Sequence, residues 1–164
     1  MLDEIKSQLP DYNIIAITHQ NFDRVFEVYN SNQDFYLLTQ GKKATIDSSI
    51  NDIIAIPPNC TIEQKIYLSI WKDDEIIGVL DVIAGYPEPT SFWIGLLLIH
   101  GRLHDKKIGS KVASAVLSAA KAAGYTTAQL GVIESNTRGI DFWRKHGFEV
   151  SRCSGDIVVM ERRV

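Results

Sequence analysis

The sequence predicts a mixed α/β fold, in which about four helices cover the two faces of a mixed, mostly antiparallel sheet of about seven strands. Two observations carry this prediction. Short runs rich in β-branched and aromatic residues alternate along the chain with longer segments of helical periodicity. One of these runs, Ser91–Ile99, is apolar on both faces, which is typical of a central strand covered on both sides.

The N-terminal half predicts one strand followed by mainly helical structure. Two prolines directly after the second helix end it, because proline has no backbone N–H to continue the helix. In chain order, the predicted elements are a strand at Asn13–Thr18, a helix from Asn21 or Asp23 to Asn30, an irregular or broken helical connection at Ser31–Lys43, and a helix at Asp47–Ile56.

The middle of the chain predicts an antiparallel meander. A charged Lys-Asp-Asp turn separates the first two strands, and a Gly-Tyr-Pro-Glu-Pro turn precedes the third. Gly95 inside the third strand indicates a β-bulge or a close approach of another group to the backbone. The three predicted strands are Lys65–Trp71, Glu75–Ala84 and Ser91–Ile99.

The C-terminal half predicts a strand–helix–strand unit and a closing hairpin. A long helix at Ile108–Ala123 has an apolar stripe and ends at Gly124. Because this helix joins the central strand to a strand at Thr127–Ile133, the two strands should run parallel. The remaining predicted elements are a helix at Thr137–His146 and two hairpin strands at Glu149–Arg152 and Ile157–Glu161.

Length and composition narrow the class of protein. The 164 residues suffice for a single domain spanning residues 1–164. A net charge of −3 argues against nucleic-acid binding, and no apolar run has the roughly 20 residues of a membrane helix. The N-terminal segment has no signal-peptide core, so we expect a cytoplasmic protein with Cys60 and Cys153 as free thiols, although one disulfide between them stays open. No cluster of His and Cys has metal-ligand spacing, so we expect no metal site.

The loop between the central strand and the long helix has the composition of an anion-binding site. A strand that enters a helix through a short loop leaves unpaired N–H groups at the positive end of the helix dipole. Gly109 lets a ligand approach the backbone, while Lys106 and Lys107 add positive charge and Ser110 adds a hydroxyl. Composition alone favours the alternative, a polar loop whose lysines are solvated. The glycine patterns of P-loop and Rossmann proteins are both absent.

The order of these elements and two short patterns resemble the GCN5-related N-acetyltransferases (GNAT), which use acetyl-CoA. That family has the signature Gln/Arg-x-x-Gly-x-Gly/Ala between its fourth strand and third helix, and the aligned run here is His104–Gly109, followed by Ser110. The family often has an Asn after the next strand and then Phe-Tyr-x-x-x-Gly-Phe, which match Asn136 and Phe142–Phe148. The element order matches over nearly the whole chain, and the patterns match in its C-terminal half.

Three positions depart from the family pattern. The first signature glycine is Lys107, which is strained if the position needs a positive φ and is otherwise free to bind the pyrophosphate itself. The usual Gln or Arg is His104, which can hydrogen-bond but is mostly neutral at pH 7. The tyrosine that protonates the departing CoA thiolate is Trp143, whose indole is not a useful acid. That proton then comes from water, from another residue, or from no dedicated group.

The resemblance implies direct attack of an amine on the thioester of acetyl-CoA. Backbone groups near Leu98 and Ile99 would align the pantetheine and polarise the acetyl carbonyl, and Asn136 would hydrogen-bond the cofactor arm. The acceptor would be a primary amine of a small molecule, peptide or protein, and a homodimer that pairs the strand Ile157–Glu161 is plausible. The complete predicted cofactor-binding set is Leu98, Ile99, His104, Asp105, Lys106, Lys107, Ile108, Gly109, Ser110, Asn136 and Trp143.

The acceptor amine needs a base, because an alkylamine of pKa about 10.4 is protonated at pH 7. Asp81 interrupts an apolar strand, so it is the first candidate, with a structural aspartate as the alternative. Glu134 follows the strand after the long helix and is the second candidate, although an acid is also favourable near the next helix N-terminus. His100 fits a surface loop better than a base. Four aromatic residues either line an acceptor pocket or pack in the core: Tyr29, Phe35, Tyr36 and Tyr86.

Two further hypotheses stay open beside an active enzyme. A catalytically silent domain of the same fold would bind a CoA species or a protein partner without turnover, and Lys107, His104 and Trp143 favour this hypothesis. A binding module that has lost the cofactor site would neither bind acetyl-CoA nor release CoA from it. Binding of acetyl-CoA and release of CoA in the presence of amines distinguish the three.

Overall fold

Seven strands form one sheet in the computed structural model, which describes residues 1–164. They are β1 (Asn13–Ala16), β2 (Lys65–Lys72), β3 (Glu75–Ala84), β4 (Ser91–Ile99), β5 (Thr127–Ile133), β6 (Glu149–Ser154) and β7 (Ile157–Arg163). Their order across the sheet is β1-β2-β3-β4-β5-β7-β6. Only β4 and β5 pair in parallel, and every other pair is antiparallel. The mixed, mostly antiparallel sheet predicted from the sequence is confirmed.

Six α-helices accompany the sheet, two more than expected. They are α1 (Leu2–Gln8), α2 (Phe22–Asn30), α3 (Gln33–Gln40), α4 (Ile46–Ile54), α5 (Ile108–Ala122) and α6 (Thr137–Lys145). Two short 3₁₀ turns lie at Ile62–Gln64 and Gly101–Leu103. No helix has both the length and the apolar composition needed to cross a membrane.

Helices α1 and α3 are the two additions. Helix α1 packs against α5 and buries Ile5 and the following Leu9, at 1% and 0% exposure. Helix α3 is regular where a broken connection was expected. It ends at Gly41, whose φ of 69° places it in the left-handed region that glycine adopts without strain. This helix forms a wall of the cavities described below.

The sheet has a hydrophobic cluster on each face. Alternate residues of a strand point to opposite faces, and Tyr67 and Leu68 accordingly belong to different clusters. The larger cluster includes residues of α1, α5 and α6, and the smaller one includes residues of α2 and α3. The sheet is therefore covered by helices on both sides, as the apolar character of β4 predicts.

Strands β4 and β5 pair over only part of their length. The parallel ladder runs from Ser91 opposite Thr127 to Ile94 opposite Leu130 and then stops. The register between β3 and β4 shifts at the next residue, Gly95, so the predicted bulge is confirmed. Beyond the bulge, the edge of β4 that faces away from β3 has no partner strand.

The closing hairpin corrects one prediction. Strand β7 lies inside the sheet, hydrogen-bonded to β5 on one side and to β6 on the other. The segment Ile157–Glu161 therefore has no free edge and cannot pair across a dimer. Strand β6 is the edge strand, and it is exposed along its whole length. The homodimer stays a prediction without an assigned strand.

Candidate active site

The divergence of the two parallel strands opens a large cleft of about 940 Å³. Its walls are the end of β4 with the loop that follows, the first turn of α5, one side of α6, and the turn between α2 and α3. Ten of the eleven predicted cofactor-binding residues line this cleft. The exception is Lys106, which is exposed and lines neither this cleft nor the smaller cavity.

The loop before α5 presents a row of free backbone donors. None of the six N–H groups from Asp105 to Ser110 donates to a backbone carbonyl, because they precede or form the first turn of the helix. The position of Gly109 is packed without a clash, since an added Cβ would be in ordinary contact with Ile99 and Phe142 at 3.5 and 3.6 Å. The helix dipole is positive at this end, so the arrangement favours an anion.

Lys107 adopts the conformation that the family glycine would provide. Its φ is 60° and its ψ is 9°, in the left-handed region, and it is the N-cap residue of α5. A residue with a Cβ is destabilised there by roughly 1–2 kcal/mol. The position therefore has a positive φ. Of the two alternatives left open by the sequence, the structure favours the first, in which Lys107 is strained. The lysine nevertheless lines the cleft and brings a positive charge to it.

His104 fastens the loop to the end of β4. Its Nε2 lies 2.9 Å from the carbonyl oxygen of Ile99, and the amide of Asn32 donates to the same oxygen at 3.0 Å. Both lone pairs of that carbonyl are therefore used within the protein. His104 lies in the cleft wall, but its ring nitrogen acts on the protein backbone. No local pattern indicates the role of Asn32, whose partner is 67 residues away.

Two cationic side chains of α6 line the cleft but were not among the cofactor-binding residues predicted from the sequence. Arg138 and Lys145 line the cleft beside Lys107. Arg138 forms an ion pair with Asp105 at 3.1 Å, with side chains 70% and 88% exposed. An exposed pair of this kind is weak, so an anion in the cleft competes readily for the guanidinium. The helical periodicity of α6 places both residues on the polar side, but nothing in the sequence shows that this side faces the loop.

Asn136 and Trp143 lie where the large cleft meets a smaller one. The side chain of Asn136 caps α6, with its Oδ1 accepting the N–H of Gly139 at 3.0 Å. Trp143 is 8% exposed and packs edge-on against Phe142, with ring centroids 4.9 Å apart. Capping explains the orientation of Asn136, while its amide nitrogen forms no bond that would prevent it from binding a ligand.

A second cavity of about 300 Å³ adjoins the large cleft. The two share four lining residues: Phe35, Leu97, Asn136 and Trp143. The smaller cavity also reaches the bulge in β4 and the carboxylates of Asp52 and Asp81. The free edge of β4 therefore runs from a loop with free backbone N–H groups at one end to an acidic cavity at the other.

Asp81, the first candidate base, forms a buried ion pair. Lys65 donates to both of its carboxylate oxygens, at 2.9 and 2.8 Å, and the lysine side chain is only 2% exposed. Burial raises the pKa of Asp81, although the positive charge of Lys65 opposes this shift. The carboxylate also lies against the bulge, because a Cβ on Gly95 would be 2.9 Å from its Oδ2.

A second, partly buried carboxylate was missed by the sequence analysis. Asp52 accepts a hydrogen bond from the Tyr29 hydroxyl at 2.5 Å, and that hydroxyl lies 2.5 Å from the hydroxyl of Tyr67. Burial raises the pKa of Asp52, while the hydrogen bond from Tyr29 and the charge of Lys65 lower it. Asp52 sits in a predicted helix, where an acid is ordinarily solvated. Only the fold brings it under α2 and beside β2.

The remaining candidates lie elsewhere. Glu134 is exposed and lines neither cavity. His100 also lies outside both, and burial together with the nearby Arg102 lowers its pKa. Of the aromatic candidates, Phe35 and Tyr36 line the smaller cavity, whereas Tyr86 packs against Trp93.

The comparison with protein families assigns the chain to a class. The model of the acetyltransferase (GNAT) family matches residues 24–148, which is more than half of the 164-residue chain. The chain therefore belongs to the GNAT family of acetyltransferases, as the sequence patterns indicated. A comparison with proteins of curated function finds no significant sequence match.

Solved structures support the same fold. An acetyltransferase from Thermus thermophilus superposes with a TM-score of 0.81 at 18% identity, covering 93% of this chain and 97% of that one. The PaiA N-acetyltransferase of Thermoplasma acidophilum, solved in complex with coenzyme A, gives a TM-score of 0.71 at 18% identity, covering 93% and 99%. The ribosomal-protein-S18-alanine N-acetyltransferase of Escherichia coli gives a TM-score of 0.67 at 9% identity, covering 93% and 94%.

Proposed function

We propose that this protein is an acetyl-CoA-dependent N-acetyltransferase that transfers an acetyl group to a primary amine. One observation carries the proposal. An anion-binding loop with free N–H groups stands at one end of a continuous opening, and a cavity with two carboxylates stands at the other. The free edge of β4 connects them. This arrangement suits a long substrate with phosphates at one end and a reacting group at the other.

The residues of the large cleft fit coenzyme A. Its pyrophosphate is an anion, and the N–H groups from Asp105 to Ser110 are donors without backbone acceptors. Lys107, Arg138 and Lys145 add positive charge around them. The volume of about 940 Å³ lies at the upper end of the range for small-molecule sites, as a ligand of this length requires.

The chain supplies positioning and polarisation. Acetyl-CoA provides an activated acetyl group on a thioester. Unpaired backbone groups of β4 beyond the bulge, around Leu97 and Leu98, would align the pantetheine and place a donor at the acetyl oxygen. Holding both reactants in line can supply roughly 7–11 kcal/mol of the barrier. Asn136 and Trp143, at the junction of the two cavities, would border the sulfur.

The smaller cavity is the site we assign to the acceptor. Its lining includes two carboxylates, of which only Asp81 is paired, with the buried Lys65 behind it, so it attracts a cationic amine more than an anion. Both Asp52 and Asp81 are candidates for the group that takes the amine proton, whereas Glu134 lies outside. The volume of about 300 Å³ accommodates a small molecule or the side chain of a peptide.

A catalytically silent domain is the second candidate. The strained Lys107 in place of a glycine, and Trp143 in place of the family tyrosine, are the observations that favour it. Such a domain would bind acetyl-CoA and fail to release CoA with any amine.

The experiment that tests the proposal measures CoA release with a thiol reagent. Acetyl-CoA is incubated with hydroxylamine, n-butylamine and a lysine-containing peptide, each against a sample without protein. Amine-dependent release above the uncatalysed rate, with the acetylated amine identified by mass spectrometry, supports an enzyme. Binding of acetyl-CoA without release for any of the three contradicts it and supports the silent domain.

A further inference from the structure

We propose that Asp52 is a catalytic residue that takes the proton of the acceptor amine, and that Asp81 instead forms a structural ion pair with Lys65. The proposal rests on the proposed function and deepens it, because it assigns the base of that same site. It differs from the expectation drawn from the sequence, which named Asp81 first.

The hydrogen bonds separate the two carboxylates. Lys65 donates to both oxygens of Asp81 and also to the carbonyl of Ala55, at 2.8 Å, so all three of its N–H groups are used. A proton arriving at Asp81 would have to displace this pair. Asp52 has one oxygen bonded to Tyr29, and its Oδ1 accepts no bond from the protein. The cavity therefore has one carboxylate oxygen free to receive a proton, and it belongs to Asp52.

An orphaned hydroxyl points to a polar ligand in the same cavity. Tyr36 is 2% exposed and lines the cavity, and its buried hydroxyl forms no hydrogen bond of good geometry, although Tyr29 is near enough to lower its pKa against the larger rise caused by burial. Buried polar groups almost always have a partner, so this hydroxyl indicates a ligand group that would complete it. An ammonium acceptor can serve, since its N–H groups donate both to the hydroxyl oxygen of Tyr36 and to the free carboxylate oxygen of Asp52. Tyr36 and Asp52 would then hold one nitrogen from two sides.

The charge environment suits a base. Burial raises the pKa of Asp52 and so brings it closer to neutral pH, where a general base is most effective. Hydrogen bonding by Tyr29 keeps the carboxylate form accessible. The titratable groups that face Asp52 from the elements packed around it are Tyr29 on α2, Tyr36 on α3, Lys65 and Tyr67 on β2, and Asp81 on β3.

The proton and bond changes balance. An ammonium acceptor gives one proton to Asp52 and becomes a neutral amine. Its nitrogen lone pair forms the C–N bond to the acetyl carbon, and the C–S bond breaks, leaving its electron pair on sulfur. The nitrogen then loses a second proton to the thiolate or to water, which yields the amide and CoA. Asp52 returns its proton to solvent.

The test compares Asp52→Asn with a matched surface variant. Asparagine can still accept the hydrogen bond from Tyr29, so the fold should be retained, and unchanged acetyl-CoA affinity checks this. We expect kcat/KM for n-butylamine to fall by about 10²–10⁴-fold. Asp47→Asn removes an exposed carboxylate from the same helix and should leave the rate unchanged. Asp52→Glu should recover part of the rate.

Two further readouts separate a base from a structural residue. Hydroxylamine is already neutral at pH 7, so Asp52→Asn should lose far less activity with it than with n-butylamine. Tyr29→Phe removes a hydrogen bond that lowers the pKa of Asp52, so the acid limb of the pH profile should move to higher pH. Asp81→Asn should lower thermal stability and retain the acid limb.

The outcomes distinguish this proposal from the proposed function. If wild-type protein acetylates n-butylamine and Asp52→Asn is equally fast with an unchanged acid limb, Asp52 is not the base, while the enzyme remains. Loss of equal size with both amines would also overturn the base role. If wild-type protein acetylates neither amine nor the lysine-containing peptide, the proposed function fails and this proposal falls with it.

Discussion

Replacing the left-handed lysine before α5 with glycine should raise the stability of the fold, whereas most substitutions by glycine lower it. Lys107 has a φ of 60°, where a side chain with a Cβ is destabilised by roughly 1–2 kcal/mol relative to glycine. Glycine lowers stability by about 0.5–1 kcal/mol through the entropy of the unfolded chain. The Lys107→Gly variant should therefore gain up to about 1.5 kcal/mol, and about 0.8 kcal/mol at the middle of these ranges, although it loses a surface side chain.

Thermal unfolding measures this gain. For a chain of this size, the melting temperature rises by roughly 2–4 °C for each kcal/mol, so we expect an increase of about 1–4 °C. Lys106→Gly is the matched control, because Lys106 is also exposed but does not have a positive φ. That variant should lose stability. Lys107→Ala removes the charge, retains the Cβ and should show no gain.

The absence of a difference between the two glycine variants would disprove the strain at Lys107. If Lys107→Gly and Lys106→Gly lower the melting temperature by the same amount, the position is not strained and the reasoning from φ is wrong. Acetyl-CoA affinity of Lys107→Gly and Lys107→Ala then reports the contribution of the lost charge separately from backbone strain.

Three other changes test the acidic cavity by chemical denaturation. Gly95→Ala places a Cβ 2.9 Å from the Asp81 carboxylate and should destabilise by about 1–3 kcal/mol, whereas Gly109→Ala, with ordinary contacts, should not show this clash penalty. Lys65→Met leaves Asp81 buried without its partner and should cost about 3–5 kcal/mol at pH 7, a loss that shrinks as the pH falls and the carboxyl is protonated. Asp52 has a raised pKa in the folded state, so the wild-type protein loses stability as the pH rises from the ordinary carboxyl pKa to the raised one and is level above it; Asp52→Asn should match wild type in acid and gain stability relative to it across that window. Equal stability differences at all pH values would contradict the last two predictions.

Local patterns in the sequence were enough to predict the sheet, whereas composition alone favoured a solvated loop before α5 and only the resemblance to the family indicated an anion site there. The apolar run of β4, the alanine-rich α5 and the turn glycines each have a short-range physical cause. The bulge at Gly95 was predicted for the same reason, because a glycine inside a strand often marks a bulge or the close approach of another group. Helix α1 was missed since a seven-residue helix has too few apolar positions to show a period, and its stability comes from packing on α5.

The acceptor cavity could not be predicted in the same way. Asp52, Tyr29 and Lys65 come from three elements, and the hydrogen bond between the first two joins residues 23 positions apart. Nothing local distinguishes Asp52 from a solvated helix acid. Asp81 stood out because it interrupts an apolar strand, but the sequence did not show that Lys65 satisfies both of its oxygens.

Thermal unfolding with and without acetyl-CoA measures whether the loop before α5 binds the phosphates of this ligand. At about 100 times the dissociation constant, acetyl-CoA should stabilise the protein by roughly 2.7 kcal/mol, a shift of about 5–10 °C. Gly109→Glu places a carboxylate among the free N–H groups and should abolish the shift. Ser114→Glu adds the same charge on an exposed position of the same helix and should retain it. No shift for wild-type protein at millimolar acetyl-CoA, or equal shifts for both variants, would show that this loop does not bind the phosphates.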